Sequence, residues 1–171
     1  MAGLSFHVDY QDLGIDRALA QLTEERDRQE LMDGLGQLGE SQTKRRIEEG
    51  GPGPNGEAWP AWSSGYAATR NGGQSLLRGE GALLDDIAAQ PASGSEVSWG
   101  TGLIYAAVHQ EGATIKAKDA DKLVFRLGSG IVMVDEVTIP ARPYLGISRD
   151  DAREMEETAL AFIAGPLGGA A

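Results

Sequence analysis

Two histidines and one nearby glutamate are the residues that best fit catalytic chemistry. His109 and Glu111 lie two positions apart, and a hydrolase would use His109 as a general base beside a serine nucleophile. The sequence offers no GxSxG motif to present that serine, and residues at i and i+2 do not face each other on a helix. His7 alternates with apolar neighbours and is expected on the solvated face of a strand. A contact or partly buried role for His109 therefore outweighs catalysis.

Two pairs of adjacent aspartates, Asp85–Asp86 and Asp150–Asp151, are the acidic candidates. Such pairs can bind a divalent cation or act in acid–base catalysis. Near helix N-termini, however, they are typical of solvated residues that the helix dipole favours. The chain has no cysteine, which excludes disulfides, thiolate zinc sites and a cysteine nucleophile. We therefore predict no catalytic residue, no metal and no cofactor, and a protein that is not an enzyme.

The charge balance restricts the partners of the chain. Its 171 residues include 15 basic and 26 acidic side chains, a net charge of −11. This charge repels nucleic-acid backbones and anionic membranes. The uncharged stretches Val97–Gln110 and Thr158–Ala171 are too short to span a bilayer. The basic triplet Lys44–Arg46 is expected at a solvated helix end. We predict no specific DNA binding, no membrane contact, no secretory signal and synthesis in a cytoplasm.

The first half of the chain reads as a helical region followed by irregular loops. Leu4–Val8 alternates as a strand, and Ile15–Glu49 has helical periodicity interrupted by glycines, which predicts two helices or one bent helix. Gly50–Trp62 is too rich in glycine and proline for a regular element. The stretch up to Gly81 is expected to be irregular or partly helical. We treat residues 1–171 as one domain with an extended loop at 50–81 and a frayed tail at 164–171.

The second half of the chain reads mainly as short strands before a last helix. Leu83–Ile87 predicts a short helix ended by Pro91–Gly94, and the segments after it predict a strand at Val97–Gly100 and a helical turn at Leu103–Gln110. A β-meander is expected from Ala113–Lys118, Lys122–Leu127 and Ile131–Ile139, with a Gly128–Gly130 hairpin loop. Ser148-x-x-Asp151 begins the last helix as a capping-box variant. The predicted fold class is α+β: an antiparallel sheet, the meander, packed with a long N-terminal helix region and a C-terminal helix.

Proline and aromatic residues in extended loops suggest stiff contact surfaces. Trp59 and Trp62 lie in such a loop, either holding it to the body or contacting a partner. In Ile139–Gly146, prolines extend the chain so that Arg142 and Tyr144 project from opposite sides. We expect Tyr144, with Leu145, in the core and Arg142 exposed or facing a partner. The alternative for Arg142 is an ion pair with an acidic residue of Asp150–Glu157.

Four segments, in this order, resemble the virion morphogenesis or tail-completion family of Mu-like tailed phages. They are Pro54–Trp59 (PNGEAW), Gly81–Leu83 (GAL), Tyr105–Gly112 (YAAVHQEG) and Ile139–Ser148 (IPARPYLGIS). The resemblance covers about Leu31 to Ile163, and its closing motif is the most specific part.

The resemblance implies a structural protein of the phage neck with an α+β fold. Such a protein forms a homo-oligomeric ring, most commonly a hexamer, between head connector proteins and the tail terminator or tail tube. Viral DNA passes through the ring transiently, and the protein is assembled in the host cytoplasm and retained in the virion. The candidate contacts between copies are the loop Gly50–Trp62, here called the tryptophan loop, and the edge of the meander at Ala113–Lys118. The alternatives are a head-assembly factor outside the ring and, less favoured, a small hydrolase using His109. The candidate interface residues are Trp59, Trp62, Tyr105, His109, Gln110, Arg142 and Tyr144.

Overall fold

A computed structural model of the chain describes residues 20, 22, 24–71, 74–93 and 95–165. The fold is α+β, with a long helix, a C-terminal helix and small antiparallel sheets, as predicted. The strand predicted at Leu4–Val8 and most of the predicted frayed tail lie outside the described residues. In chain order the elements are α1 (Glu25–Glu49), α2 (Ser64–Ala67), α3 (Ala82–Asp86), β1 (Ala88–Ser93), β2 (Glu96–Gly100), α4 (Ala106–Glu111), β3 (Ala113–Lys116), β4 (Leu123–Leu127), β5 (Gly130–Val134), β6 (Glu136–Ile139) and α5 (Arg149–Ala164).

Helix α1 runs without interruption for 25 residues, so two separate helices are not formed in this stretch. Its glycines serve close packing rather than a break. A Cβ on Gly36 would lie 2.7 Å from a methyl group of Val97, and one on Gly39 would lie 2.6 Å from the Trp99 ring. The β1–β2 hairpin therefore approaches the helix backbone more closely than alanines would allow. Gly50 ends the helix in the left-handed region (φ +79°) and donates its N–H to the carbonyls of the last turn.

The short helix predicted at Leu83–Ile87 was expected to be ended by Pro91–Gly94. It ends at Asp86 instead, and Ala88–Ser93 is strand β1, paired antiparallel with β2. Its register is regular from Ala88 to Gln90 and shifts before Ser93. Pro91 lies inside this irregular interval, which is where a strand tolerates a residue without an N–H donor. The predicted strand at Val97–Gly100 is confirmed within β2.

The expected meander is wrong in its pairing. Strand β3 pairs with β6, from Ala113 opposite Ile139 to Lys116 opposite Glu136. Between them β4 and β5 form their own hairpin. Its turn is Gly128–Ser129, one residue shorter than the predicted Gly128–Gly130 loop, because Gly130 already pairs with Leu127. Asp135 interrupts the segment that was expected to be one strand, so that β5 and β6 belong to different two-stranded sheets. The β4–β5 hairpin, here called the arm, is therefore inserted in the chain between the paired strands β3 and β6.

Two hydrophobic clusters make up the core of the described residues. One joins the end of α1 with α3, α4 and the segment after β6, and it includes Ile47, Ile87 and Tyr144. The other joins the start of α1 with α5, through Leu31, Leu35 and Met155. Trp99 packs against both clusters and donates its indole N–H to Thr43 at 3.0 Å. Helix α1 therefore contributes residues to both clusters and connects them.

Helix α5 begins with the predicted capping box. The Ser148 hydroxyl accepts from the Asp151 N–H at 3.1 Å, and the Asp151 carboxylate accepts from the Ser148 N–H at 2.8 Å. These contacts satisfy two of the backbone donors that a helix start leaves free.

Candidate functional site

The segment 140–148, here called the strap, is fixed by one glutamine of α4. The Gln110 side-chain oxygen accepts from the backbone N–H groups of Tyr144 and Leu145, both at 3.0 Å, and its amide donates to the Leu145 carbonyl at 3.1 Å. The side chain replaces the neighbouring strand that this proline-containing segment lacks. Gln110 is 8% exposed, so it acts inside the chain and offers little surface to a partner.

Arg142 was expected to be exposed or to pair with a carboxylate, and the structure corrects both expectations. It is 5% exposed, and its guanidinium donates to the carbonyls of Pro60 at 2.8 Å and Ala61 at 3.1 Å. Its own N–H donates to the His109 carbonyl at 2.8 Å. Burial lowers the pKa of Arg142. The side chain points into the fold because the tryptophan loop covers it. Two backbone carbonyls of that loop accept its hydrogen bonds, so it needs no carboxylate partner.

The tryptophan loop is held to the body by both of its indole groups. Trp59 is 7% exposed and donates its ring N–H to the Pro143 carbonyl at 2.9 Å. Trp62 is half-buried and donates to the Leu76 carbonyl at 3.0 Å. Of the two alternatives for this loop, attachment to the body therefore holds for both tryptophans, and Trp62 in addition reaches the surface.

Tyr144 and Leu145 lie in the core, as predicted. Tyr144 is 0% exposed, and burial raises the pKa of its hydroxyl. The hydroxyl makes one long contact, 3.4 Å to the Ala106 carbonyl. Tyr144 therefore joins the strap to α4 mainly by packing.

Sequence reasoning missed a buried ion pair between Arg46 and Asp151. Both side chains are 7% exposed, and Arg46 also donates to the carbonyls of Tyr144 and Gly146. Lys44 and Arg45, the other members of the basic triplet, pair with Glu40 at 2.7 Å and Glu154 at 3.1 Å. The triplet is thus divided between the surface and the interior. The capping-box signal marked Asp151 as structural, but nothing local marked its cation.

A small cavity of about 150 Å³ lies beside α4, lined in part by aromatic side chains. Tyr105 and His109 meet edge to face there, with ring centres 5.9 Å apart, and Trp62 meets Tyr66 in the same way at 5.8 Å. Burial, and secondly the positive charge of Arg142, lower the pKa of His109. Its Nδ1 is buried without a hydrogen-bond partner in the described part of the chain. The cavity lining also includes the charged side chains of Arg78 and Glu80, so the cavity is of mixed polarity.

The predicted interface residues therefore divide into two groups. Four are buried in the isolated chain and hold the loop, the strap and α4 together: Trp59, Gln110, Arg142 and Tyr144. Three reach the surface around the cavity: Trp62, Tyr105 and His109. Sequence reasoning missed Ile104, the most exposed large apolar residue that the structure describes, which is 86% exposed and precedes Tyr105.

One member of each acidic pair serves local structure. Asp86 accepts from the Thr101 hydroxyl and the Gly102 N–H, and these two bonds, in that order, lower its pKa. Asp150 is solvated, whereas Asp151 is buried at the start of α5. Among the residues that the structure describes, no three His, Asp or Glu side chains come together as a metal site. No helix in the described ranges is both long and apolar enough to cross a bilayer.

The family comparison points to one class of protein. A model of the phage virion morphogenesis family matches residues 11–164, which is most of the chain. No curated protein and no solved structure matches the chain significantly.

Proposed function

This chain belongs to the phage virion morphogenesis family, and from that premise we propose that it is a tail-completion protein of the phage neck. In this proposal it forms a homo-oligomeric ring, most commonly a hexamer, through which the viral DNA passes. One face of the ring contacts head connector proteins and the other contacts the tail terminator or tail tube. Its role is structural and non-enzymatic, and it is assembled in the host cytoplasm before it is retained in the virion.

The observation that carries this proposal is where the distinctive segments of the sequence meet. The loop from Pro54 to Trp59, the segment Tyr105–Gly112 and the strap converge on one buried joint made by Gln110 and Arg142. The side chains of this joint bond to backbone carbonyls and N–H groups of the same chain. Such a joint gives a rigid building block whose exposed loops keep a fixed shape.

The charge of the chain also supports a channel for DNA. The net charge of −11 disfavours retention of a phosphate backbone that has to slide past. The basic triplet does not offset this charge, because each of its members is paired with an acidic residue.

The proposal is tested with phage particles that lack a functional copy of this gene. We expect full heads and separate tails, which join when the purified protein is added. Images of the completed particles should then show ring density for this chain at the neck. Particles that contain no such ring would contradict the proposal.

The same preparation separates the two alternatives. A head-assembly factor would be needed for head formation and absent from finished particles. A hydrolase would show turnover that His109→Ala abolishes while the protein remains folded.

A further inference from the structure

Both asparagines of the chain are followed by glycine, Asn55 by Gly56 and Asn71 by Gly72. Asparagine deamidates most readily in this dipeptide, because glycine has no side chain to hinder the attack of its amide nitrogen on the asparagine side chain. Gly72 lies outside the described residues, whereas the structure describes both residues of the first pair. Asn55 is exposed, and its side chain makes no hydrogen bond within the described part of the chain.

Two backbone hydrogen bonds close a turn around Asn55. The Gly56 N–H donates to the Gly53 carbonyl at 2.9 Å, and the Gly53 N–H donates to the Glu57 carbonyl at 2.8 Å. Gly56 lies in the left-handed region (φ +82°), as in a three-residue hairpin loop that ends in a glycine bulge. The nitrogen that would attack Asn55 is therefore engaged with the Gly53 carbonyl while the turn is closed.

The strap holds this turn at both of its ends. Pro54 packs so closely on the strap that a Cβ on Gly146 would lie 2.7 Å from its ring. Trp59 donates its indole N–H to the Pro143 carbonyl at 2.9 Å, and its ring packs beside Gly51. Release of these contacts is a local opening of the tryptophan loop, which costs less free energy than unfolding of the whole chain.

We propose that Asn55 is a site of spontaneous deamidation and that opening of the tryptophan loop controls its rate. In the open loop the Gly56 nitrogen forms a bond to the side-chain carbonyl carbon of Asn55 and gives up its proton. The bond from that carbon to the side-chain nitrogen breaks, and this nitrogen leaves with the proton as ammonia, so that a cyclic succinimide remains. Water then opens the ring to aspartate or isoaspartate. The proposal concerns the chain itself and does not depend on the neck function.

The two products differ in their fit to the turn. In isoaspartate the backbone passes through the former side chain and gains one carbon atom, whereas the bonds between Gly53 and Glu57 enclose three residues of ordinary length. Aspartate keeps the backbone and adds one negative charge at an exposed position. We therefore expect isoaspartate at this position to detach the tryptophan loop from the strap, and aspartate to leave it attached.

Deamidation of the wild-type protein tests the proposal without any substitution. Trypsin cleaves after Arg46, Arg70 and Arg78 and so places the two asparagines in separate peptides. Mass spectrometry follows both peptides while the folded protein, and the same protein in guanidinium chloride, are incubated. In the denaturant Asn55 and Asn71 should react at similar rates. Asn55 should react at least about tenfold more slowly in the folded protein, because two backbone hydrogen bonds close the turn. An equal rate at Asn55 in both states, or no reaction there in denaturant while Asn71 reacts, would overturn the proposal.

A matched pair of substitutions tests the control by the loop. Trp59→Phe keeps an aromatic ring and removes the donor to Pro143, whereas Trp62→Phe makes the same change at an indole bonded to the Leu76 carbonyl. We expect Trp59→Phe to raise the rate at Asn55 in the folded protein about five- to tenfold, and Trp62→Phe to change it less than about twofold. Equal rates for the two folded variants would overturn control by the contact with the strap. If Trp59→Phe does not fold, the wild-type comparison decides the proposal.

The products test the length of the turn. Asn55→Asp is the control for isoaspartate, since it carries the same charge on an unaltered backbone. In an Asn71→Gln background, protein aged in denaturant and refolded contains the two products of residue 55, which chromatography separates. The isoaspartyl form should show tryptophan fluorescence at longer wavelength, because Trp59 leaves a buried site. Asn55→Asp should match wild type in its spectrum and melting temperature. Identical spectra for the isoaspartyl form and Asn55→Asp would overturn the detachment of the loop.

Discussion

Arg142 is a buried cation whose partners are backbone carbonyls rather than a carboxylate. We predict that Arg142→Ala destabilises the isolated chain by about 2–4 kcal/mol, because the carbonyls of Pro60 and Ala61 lose their donors in a covered site. Chemical denaturation followed by tryptophan fluorescence measures this change. Arg126→Ala, on the exposed surface of the arm, is the matched control and should shift stability by less than about 0.5 kcal/mol. Equal denaturation midpoints for the two variants would show that Arg142 does not hold the loop.

The sequence identified the segment around Arg142 but not the role of the residue. The prolines correctly predicted an extended strap with Tyr144 in the core. The partners of Arg142 lie about 80 positions earlier, in a loop without regular structure. Every residue carries a carbonyl, so no sequence pattern marks the ones that a buried guanidinium will use. The pairing of Arg46 with Asp151 escaped notice for a related reason, since only the tertiary fold brings these residues together.

His109 should make the stability of the fold depend on pH. Burial and Arg142 lower its pKa in the folded state below its ordinary value of 6.5, so the unfolded chain takes up a proton at higher pH than the folded chain. The stability from neutral His109 is therefore complete above 6.5 and is lost as the pH falls from there toward the folded-state pKa. We predict that wild type loses more unfolding free energy than His109→Gln when the pH falls from about 7 to about 5.

Urea denaturation at several pH values measures this difference. Parallel curves for wild type and His109→Gln would contradict a depressed pKa at this site.

At the scale of elements, the glycines of α1 offer a matched pair of substitutions. A Cβ on Gly34 would meet nothing within 4 Å, whereas one on Gly39 would lie 2.6 Å from the Trp99 ring. We predict that Gly34→Ala stabilises the chain by about 0.5–1 kcal/mol, because alanine favours the helix and restricts the unfolded chain. Gly39→Ala should destabilise it by about 1–3 kcal/mol, since the indole has to move out of a packed position.

Thermal melts of the two variants measure the opposite signs. Trp99→Leu gives a control, because a smaller side chain should relieve part of the cost of Gly39→Ala in the double variant. If both alanine variants melt above wild type, the β1–β2 hairpin does not need the close approach to α1.

Local signals predicted the elements of this fold better than their pairing. The hairpin of the arm and the cap of α5 are confirmed, because turn glycines and a Ser-x-x-Asp spacing act over three or four residues. The partner of β3 was wrong, since three alternating segments with similar composition give no preference for one order over another. The glycines of α1 predict two helices or one bent helix, because the strand hairpin that packs on them lies about 60 residues later and local spacing does not show it.

At the scale of the whole molecule, the fold concentrates its rigidity on one side of α1. The strap, the tryptophan loop and α4 share buried polar contacts, and α5 is attached to the same place through Asp151. The arm makes no comparable contacts within the described residues and presents apolar side chains outward. A firm body with an uncovered arm suits a protein that completes its packing only in an assembly, which agrees with its family of virion proteins.

The charge of the whole molecule leads to the last prediction. We expect the isolated protein not to retain duplex DNA at about 150 mM salt more tightly than about micromolar, because a net charge of −11 opposes the phosphate backbone. The cations that could have formed a binding patch, Lys44 to Arg46, are paired with acidic residues of the same chain. A gel-shift assay measures binding, with Glu154→Gln as the comparison that removes the nearer of the two carboxylates from Arg45. This variant should bind DNA slightly more strongly at low salt and no differently at 150 mM salt, since a single phosphate contact is screened there. Tight binding by the wild-type protein at 150 mM salt would contradict a channel that DNA passes without being held.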